Sequence, residues 1–267
     1  MSIGLNPTKA YFAELWHFRE LYYALTVREI KVRYKQTTLG MGWAILQPLA
    51  LTIIFTVVFS FLLNFGSGNA PYPVFAYSAL LVWTFFSNAI TFGSLSVVSN
   101  GSLVSKIYFP RELLPFATIT ASLFDFIIAS LIFLLMFFYF DLQITPNLFY
   151  LFLIIPCIFF LTSGLSLILS ALNVLFRDIR FILPLALQIL FYATPIIYSL
   201  NSLPDKYQKY FALNPLAPLI DSFRDVTVYG QKPDLLPLFI SFVVSIAVFI
   251  AGLIFFRMKE KVFADVI

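Results

Sequence analysis

Long apolar runs alternate with short polar turns along this chain, and the runs are too long for a water-soluble fold. From Gln36 through Ser105 there is no Asp, Glu, Lys or Arg, although six Lys/Arg lie within the first 35 residues. As a helix, an apolar stretch of about 20 residues crosses the roughly 30 Å hydrocarbon core of a bilayer. The pattern predicts six spans, at residues 42–63, 72–98, 113–140, 148–175, 182–200 and 235–256. The second to fourth are longer than the core requires, so they tilt or protrude. The expected fold is an all-α membrane protein with six transmembrane helices.

Two segments depart from this pattern. Residues 1–38 read as a cytoplasmic interface segment ahead of a six-span domain at 39–267. Phe18, Leu21, Tyr22 and Leu25 recur at i, i+3, i+4 and i+7, with Arg19, Glu20, Arg28, Glu29 and Lys31 mainly elsewhere. That spacing predicts an amphipathic helix on the membrane surface; a basic flank that merely orients the first span is the alternative. The second segment is the loop at 201–234. Asn214-Pro215 is a helix-start signal, and Leu219, Ile220, Phe223 and Val226 form an apolar stripe with Asp221, Arg224 and Asp225 off it. Gly230 is the expected stop. Tyr207, Tyr210 and Phe211 suggest a second short piece before it, giving a pair of re-entrant or interfacial helices that would form an outer gate. A plain surface loop is the alternative.

Charge sets the orientation. Six spans leave both termini on one side, and basic residues concentrate on the cytoplasmic side of membrane proteins. Lys9, Arg19, Arg28, Lys31, Arg33 and Lys35 share a side with Lys106, Arg111, Arg177, Arg180, Arg257, Lys259 and Lys261. The opposite side has only Lys206, Lys209, Arg224 and Lys232, all in the long loop. Both termini, including the tail at 257–267, are therefore expected in the cytoplasm, with the chain in the cytoplasmic (inner) membrane. Glu14, Glu20 and Glu29 precede the first apolar run, which argues against a cleaved signal peptide.

Composition narrows the chemistry. Hydrophobic residues make up 61% of the chain and charged residues 11%, which leaves no sizeable soluble domain. His17 is the one histidine, and Cys157 is the one cysteine and sits in an apolar run. No catalytic or metal-binding cluster is expected, and no cofactor on this chain. No phosphate-cradling Gly-x-x-x-x-Gly-Lys motif occurs, so any ATP and Mg chemistry would belong to a separate ATPase chain. Asp125 is the one acidic residue well inside a predicted span. It is open to a functional role by default, with a helix–helix hydrogen bond preferred over a proton relay. Aromatic residues reach 19%. Trp43, Phe55, Phe59, Phe191, Tyr192 and Tyr198 are candidates for a path along which sugar rings slide, against the alternative of lipid contact or helix packing. Gln47-Pro48 and Thr194-Pro195 are expected to break the first and fifth spans within the membrane.

Several motifs taken together resemble the type-2 ABC export permeases. They are Val32-Arg33-Tyr34-Lys35-Gln36-Thr37-Thr38-Leu39-Gly40-Met41-Gly42-Trp43, the run Lys106-Ile107-Tyr108-Phe109-Pro110-Arg111-Glu112, and Leu175-Phe176-Arg177-Asp178-Ile179-Arg180. Thr194-Pro195-Ile196-Ile197-Tyr198 and Asn214-Pro215-Leu216-Ala217-Pro218 complete the set. The likeness is strongest to the polysaccharide, O-antigen and teichoic-acid export branch.

That resemblance implies a homodimer of this chain, two copies of a P-loop ATPase docked beneath it, and a lipid-linked glycan as substrate, with lipids around it and no nucleic acid. Lys106, Tyr108, Phe109, Arg111 and Glu112 would contact the ATPase. Arg177, Asp178 and Arg180 would add a second contact or simply enforce topology. Arg33 and Lys35 at the cytoplasmic mouth would receive a pyrophosphate head group, and Asn214, Pro215, Asp221, Arg224 and Asp225 would belong to the outer gate. The implied function is the permease subunit of an ATP-driven O-antigen-like exporter. The alternatives are export of teichoic acid, capsule, glycolipid or a drug, or an ion-coupled transporter acting alone.

Overall fold

The computed structural model describes residues 7–62, 70–199 and 214–266, and every regular element among them is helical. Helices α1 (Pro7–His17) and α2 (Arg19–Tyr34) are separated at Phe18. The chain then turns through Gln36 and Gly40, which hold φ of +63° and +52°, and enters α3 (Gly42–Phe55). A π-helical turn at Thr56–Leu62 extends α3. Next come α4 (Tyr72–Ser99), the short α5 (Gly101–Lys106) and α6 (Leu113–Tyr139). A 3₁₀ turn at Pro146–Tyr150 leads into α7 (Leu151–Leu175) and α8 (Ile179–Tyr192). The chain closes with α9 (Leu216–Thr227) and α10 (Leu235–Val266).

Among the described residues five helices are long and apolar enough to cross a membrane, in agreement with five predicted spans. The fifth predicted span takes a different form. Its helix, α8, has 14 residues and rises only about 21 Å at 1.5 Å per residue. The chain continues past Tyr192 as the non-helical segment 193–198, so the break foreseen at Thr194-Pro195 is present. The break foreseen at Gln47-Pro48 is absent: α3 runs through Pro48 without interruption, and the hydroxyl of Thr52 donates to the Pro48 carbonyl at 2.8 Å. The distortion lies about two turns later, in the π segment at Thr56–Leu62.

α4 forms the centre of the bundle, with its whole length from Val74 to Phe86 buried. It packs against α6 on one side and α7 on the other. Small and polar side chains let α4 and α7 approach, as expected where lipid offers no hydrophobic drive to association. Ser166 donates to the Ala89 carbonyl at 3.0 Å, and Asn173 to that of Ser94 at 2.9 Å. α7 and α10 meet most closely at Gly164 and Gly252. A Cβ at Gly164 would lie 2.5 Å from the Val248 carbonyl oxygen, and one at Gly252 would lie 2.5 Å from that of Gly164.

The interface segment differs from expectation in two ways. It is two helices rather than one, and α2 packs its Leu25 and Thr26 into the bundle against α6 instead of only resting on a lipid surface. The C-terminal helix also continues without a break through the residues expected to form a tail, and buries Phe256 and Phe263 in the same cluster as Leu25 and Phe109. Cys157 is buried, as a packing residue would be.

Candidate functional site

At the α2 end of the bundle, a cavity of about 380 Å³ opens between α2, α3, α4 and α6. Arg33, Tyr34, Trp43, Gln47, Asn88 and Asp125 are among its lining residues. α2 delivers Arg33 and Tyr34 to this point because its inner face is stitched to α6. The Tyr22 hydroxyl and that of Thr120 are 2.5 Å apart, Arg33 Nη1 donates to Asp125 Oδ2 at 2.7 Å, and Arg33 Nη2 donates to the Thr118 carbonyl at 3.0 Å. Tyr34 donates to the other oxygen of Asp125 at 2.5 Å. The guanidinium also lies 4.2 Å above the Phe92 ring.

Asp125 therefore joins two helices, the role preferred for it from sequence, though through charge-assisted bonds to a cation that sequence reasoning had not paired with it. Arg33, expected free at a cytoplasmic mouth, has its charge balanced by Asp125. Lys35 stands exposed at the end of α2. Sequence reasoning missed Gln47 and Asn88 as cavity residues. A signal existed for Asn88, the one side-chain amide in the apolar run of α4, since polar groups within spans face protein or a cavity.

Below this cavity, the residues expected to face an ATPase divide into two groups. Tyr108 is 82% exposed, and Lys106 and Ile107 are exposed beside it. The Tyr108 hydroxyl donates to Glu14 at 3.2 Å, and the Glu14 charge pushes its pKa up. Phe109 and Glu112 are instead buried within the chain. Glu112 accepts from Arg257 at 3.2 Å and hydrogen-bonds Tyr11, whose phenol is pushed above its ordinary value first by burial and then by the Glu112 charge. Arg257 also lies 3.7 Å over the Tyr11 ring, and Arg111 donates to the Glu260 carbonyl. Phe109, Arg111 and Glu112 therefore hold α1, α6 and α10 together, and Phe109 and Glu112 are not available to a partner. Arg177 and Asp178 are exposed in the turn between α7 and α8 and Arg180 is exposed in the first turn of α8, with Phe176 and Phe181 beside them.

The candidate path residues fall into two sets. Phe55, Phe59 and Phe191 pack on one another and on the core: Phe55 stacks on Phe191 at 5.9 Å and meets Phe59 edge-on at 6.0 Å. Phe59 in turn stacks on Tyr72 at 6.5 Å, and Phe191 meets Trp83 at 5.4 Å. This aromatic seam brings the first and fifth predicted spans together beside α4. Trp43 and Tyr192 are exposed, and Tyr198 donates to the Tyr192 carbonyl at 2.9 Å.

At the opposite end of the bundle, α9 forms where the Asn214-Pro215 signal placed it. The Asn214 side chain accepts from the Leu216 backbone N–H at 3.1 Å, and Gly230 follows the helix with φ +62°. The predicted stripe of Leu219, Ile220, Phe223 and Val226 is buried. Arg224, expected off that stripe, is buried as well, at 2% exposed. Its guanidinium caps the break in the fifth span, donating to the Pro195 and Ile196 carbonyls at 3.2 and 3.0 Å and to Asp221 at 3.2 Å, and lies 3.7 Å over Phe75. Tyr72 donates to the Ile197 carbonyl at 2.9 Å and Asn214 to the Thr194 hydroxyl at 2.8 Å. Arg224 and Tyr72 thus satisfy carbonyls of the non-helical segment that follows α8, the condition for irregular backbone at membrane depth. Burial pushes Asp221 up to about 7 against the opposing pull of Arg224, and Asp225 up to about 6 for the same reason. Tyr207, Tyr210 and Phe211 lie outside the described residues.

Comparison with known proteins gives the arrangement a family. Over 256 residues the chain is 29% identical to the O-antigen export system permease protein RfbA of Myxococcus xanthus, covering 94% of this chain and 97% of that protein. It is 28% identical over 257 residues to the protein of the same name from Klebsiella pneumoniae, covering 95% and 97%. The polysialic acid transport protein KpsM of Escherichia coli is 25% identical over 246 residues, covering 89% and 93%. Residues 20–228, which run from α2 to the end of α9, match the ABC-2 type transporter family. An all-helical, multi-pass bundle bearing that match along most of its length belongs to the ABC-2 type transporters.

Proposed function

We propose that the chain is the membrane subunit of an ATP-driven exporter that carries a lipid-linked, O-antigen-like polysaccharide outward across the cytoplasmic membrane. The single observation that carries this reading is the end-to-end likeness to O-antigen export permeases, with 94% of this chain and 97% of the relative covered. Both termini lie in the cytoplasm, where the basic turns concentrate. A separate P-loop ATPase, holding ATP and Mg, docks from that side, and two copies of each chain make the working transporter.

The exposed geometry supports a division of labour. Lys106, Ile107 and Tyr108 offer a charged and aromatic knob, and Arg177, Asp178 and Arg180 with Phe176 and Phe181 offer a second. Exposed aromatics flanked by charge make effective anchors for a protein partner. A push on the first knob passes directly into α6, and through Arg33, Tyr34 and Tyr22 into α2. α3 is joined to α2 by the turn at residues 36–41 and packs on α4 and α6, and the first span shifts relative to those two helices about that turn. Tyr192 and Trp43, on the exposed faces of α8 and α3, line the corridor between two protomers. A polymer needs such a corridor because it cannot be enclosed whole.

The test is transport into inverted membrane vesicles holding this chain with its ATPase. ATP should drive accumulation of lipid-linked glycan, and Tyr108→Ala with Lys106→Ala should weaken ATPase binding while leaving this chain folded. Transport that persists without any ATPase, or that depends on an ion gradient alone, would overturn the reading.

A further inference from the structure

The cavity between α2, α3, α4 and α6 combines a charge-balanced wall with polar groups that lack partners. Arg33 and Asp125 neutralise each other at 2.7 Å, and Glu29 is engaged by Arg28 at 2.8 Å. Pyrophosphate is a multiply charged anion. Here it would meet the carboxylates of Asp125 and Glu29 with no surplus cation to offset them, and like charges at close range disfavour the ionised state. The wall therefore suits an uncharged ligand.

Its polar groups suit a hydroxylated one. The Arg33 side chain is only 10% exposed, and its Nε–H is buried without a hydrogen-bond partner. A buried donor left unmet costs free energy until something accepts from it. Gln47 and Asn88 contribute two carboxamides on neighbouring helices, each both donor and acceptor. Trp43 and Phe92 add ring faces to the same cavity. A sugar ring presents the complement: hydroxyls that donate and accept around its rim, and C–H faces that lie flat on an aromatic ring. Pockets of a few hundred Å³ with largely apolar walls and a few placed polar groups are the usual form of small-ligand sites.

We propose that this cavity binds one neutral sugar of the exported glycan, the ring nearest the lipid anchor, while the phosphates stay outside along the exposed Lys31 and Lys35 edge of α2. The cavity opens where the interface helix meets the first span and reaches in as far as Asn88 and Asp125, inside the second and third predicted spans. A ring held there is one joined directly to the anchor. The proposal rests on the export reading above and assigns recognition of the substrate to this chain.

The experiment uses the complex of this chain with its ATPase in nanodiscs and three kinds of probe. These are a polyprenyl pyrophosphate bearing a single neutral hexose or N-acetylhexosamine, supplied as a series, the same lipid without sugar, and inorganic pyrophosphate. At least one sugar-bearing lipid should bind about tenfold more tightly than the bare lipid. Trp43→Ala and Asn88→Leu should each erase that difference, and Trp43→Phe should retain most of it, which a mere loss of folding would not produce. Equal binding of the bare lipid and the whole series would overturn the proposal. So would inorganic pyrophosphate binding that disappears in Arg33→Gln. ATP-driven transport by the same unmodified preparation separates the two levels. If transport is absent, the export reading fails and the proposal with it; if transport is present without sugar preference, the proposal alone fails.

Discussion

Arg33 and Asp125 lie 92 residues apart in the chain and 2.7 Å apart in space, the cation on the interface helix and the carboxylate on α6. The pair is one of several bonds between α2 and α6, but it is the one that places opposite charges where water is scarce, with the two side chains 10% and 15% exposed. Removing one member of a buried ion pair leaves the other charge uncompensated and costs about 3–5 kcal/mol, more than the pair itself contributes. Asp125→Ala should therefore lower the unfolding temperature of the purified protein sharply. Exchanging the two charges, Arg33→Asp with Asp125→Arg, should recover part of the loss. A proton-relay role for Asp125 would instead predict normal stability with abolished transport.

Glu112 gives a second separation. It is buried against Arg257 and Tyr11, whereas Tyr108, four residues earlier, is 82% exposed. Glu112→Ala should loosen α10 from α6 and reduce thermal stability before any partner is added. Tyr108→Ala should leave the isolated chain as stable as before and lower affinity for the ATPase in a pull-down or calorimetric titration. Equal stability of the two variants would contradict the internal role of Glu112.

Close helix contact supplies a third. A methyl group at Gly164 would enter the space of the Val248 carbonyl, and overpacking of this kind costs about 1–3 kcal/mol. Gly164→Ala should shift the unfolding transition by that order, while Gly42→Ala, where the nearest atom is Leu39 Cβ at an ordinary 3.6 Å, should leave it in place.

The outer helix carries a pH signature. Asp221 is raised from 3.8 to about 7 by burial, so between these values the folded protein keeps a proton that the unfolded chain has released. Its contribution to stability is complete below pH 4 and is lost as the pH rises towards 7. Thermal unfolding followed between pH 5 and 8 should show Asp221→Asn losing less stability than the unmodified protein over this window. Parallel curves would rule out a protonated Asp221 in the folded state.

Periodicity and charge alone revealed four spans to within a few residues and the start, though not the end, of the last one, together with the start and buried stripe of α9 and the break in the fifth span. All three follow from local physics. A bilayer requires each crossing segment to be apolar and to satisfy its own backbone, and Asn-Pro and Gly act within a turn of where they stand. The partners of the charged residues were not legible in the same way. Arg33, Glu112 and Arg224 each read as solvent-facing or partner-facing cations and anions, yet Glu112 and Arg224 are buried, Arg33 is largely covered, and each bonds a residue 28 to 145 positions away. A residue's place on a helix face tells which neighbours it shares that face with, not which helix will cover it. Within a membrane, moreover, lipid and protein are nearly equivalent surroundings for Leu and Phe, so apolar faces carry little information about which helices meet. The packing of α2 on α6, the continuity of α3 through Pro48 and the cavity between them are products of the assembled bundle, where a few polar groups have one another as their only alternatives to lipid.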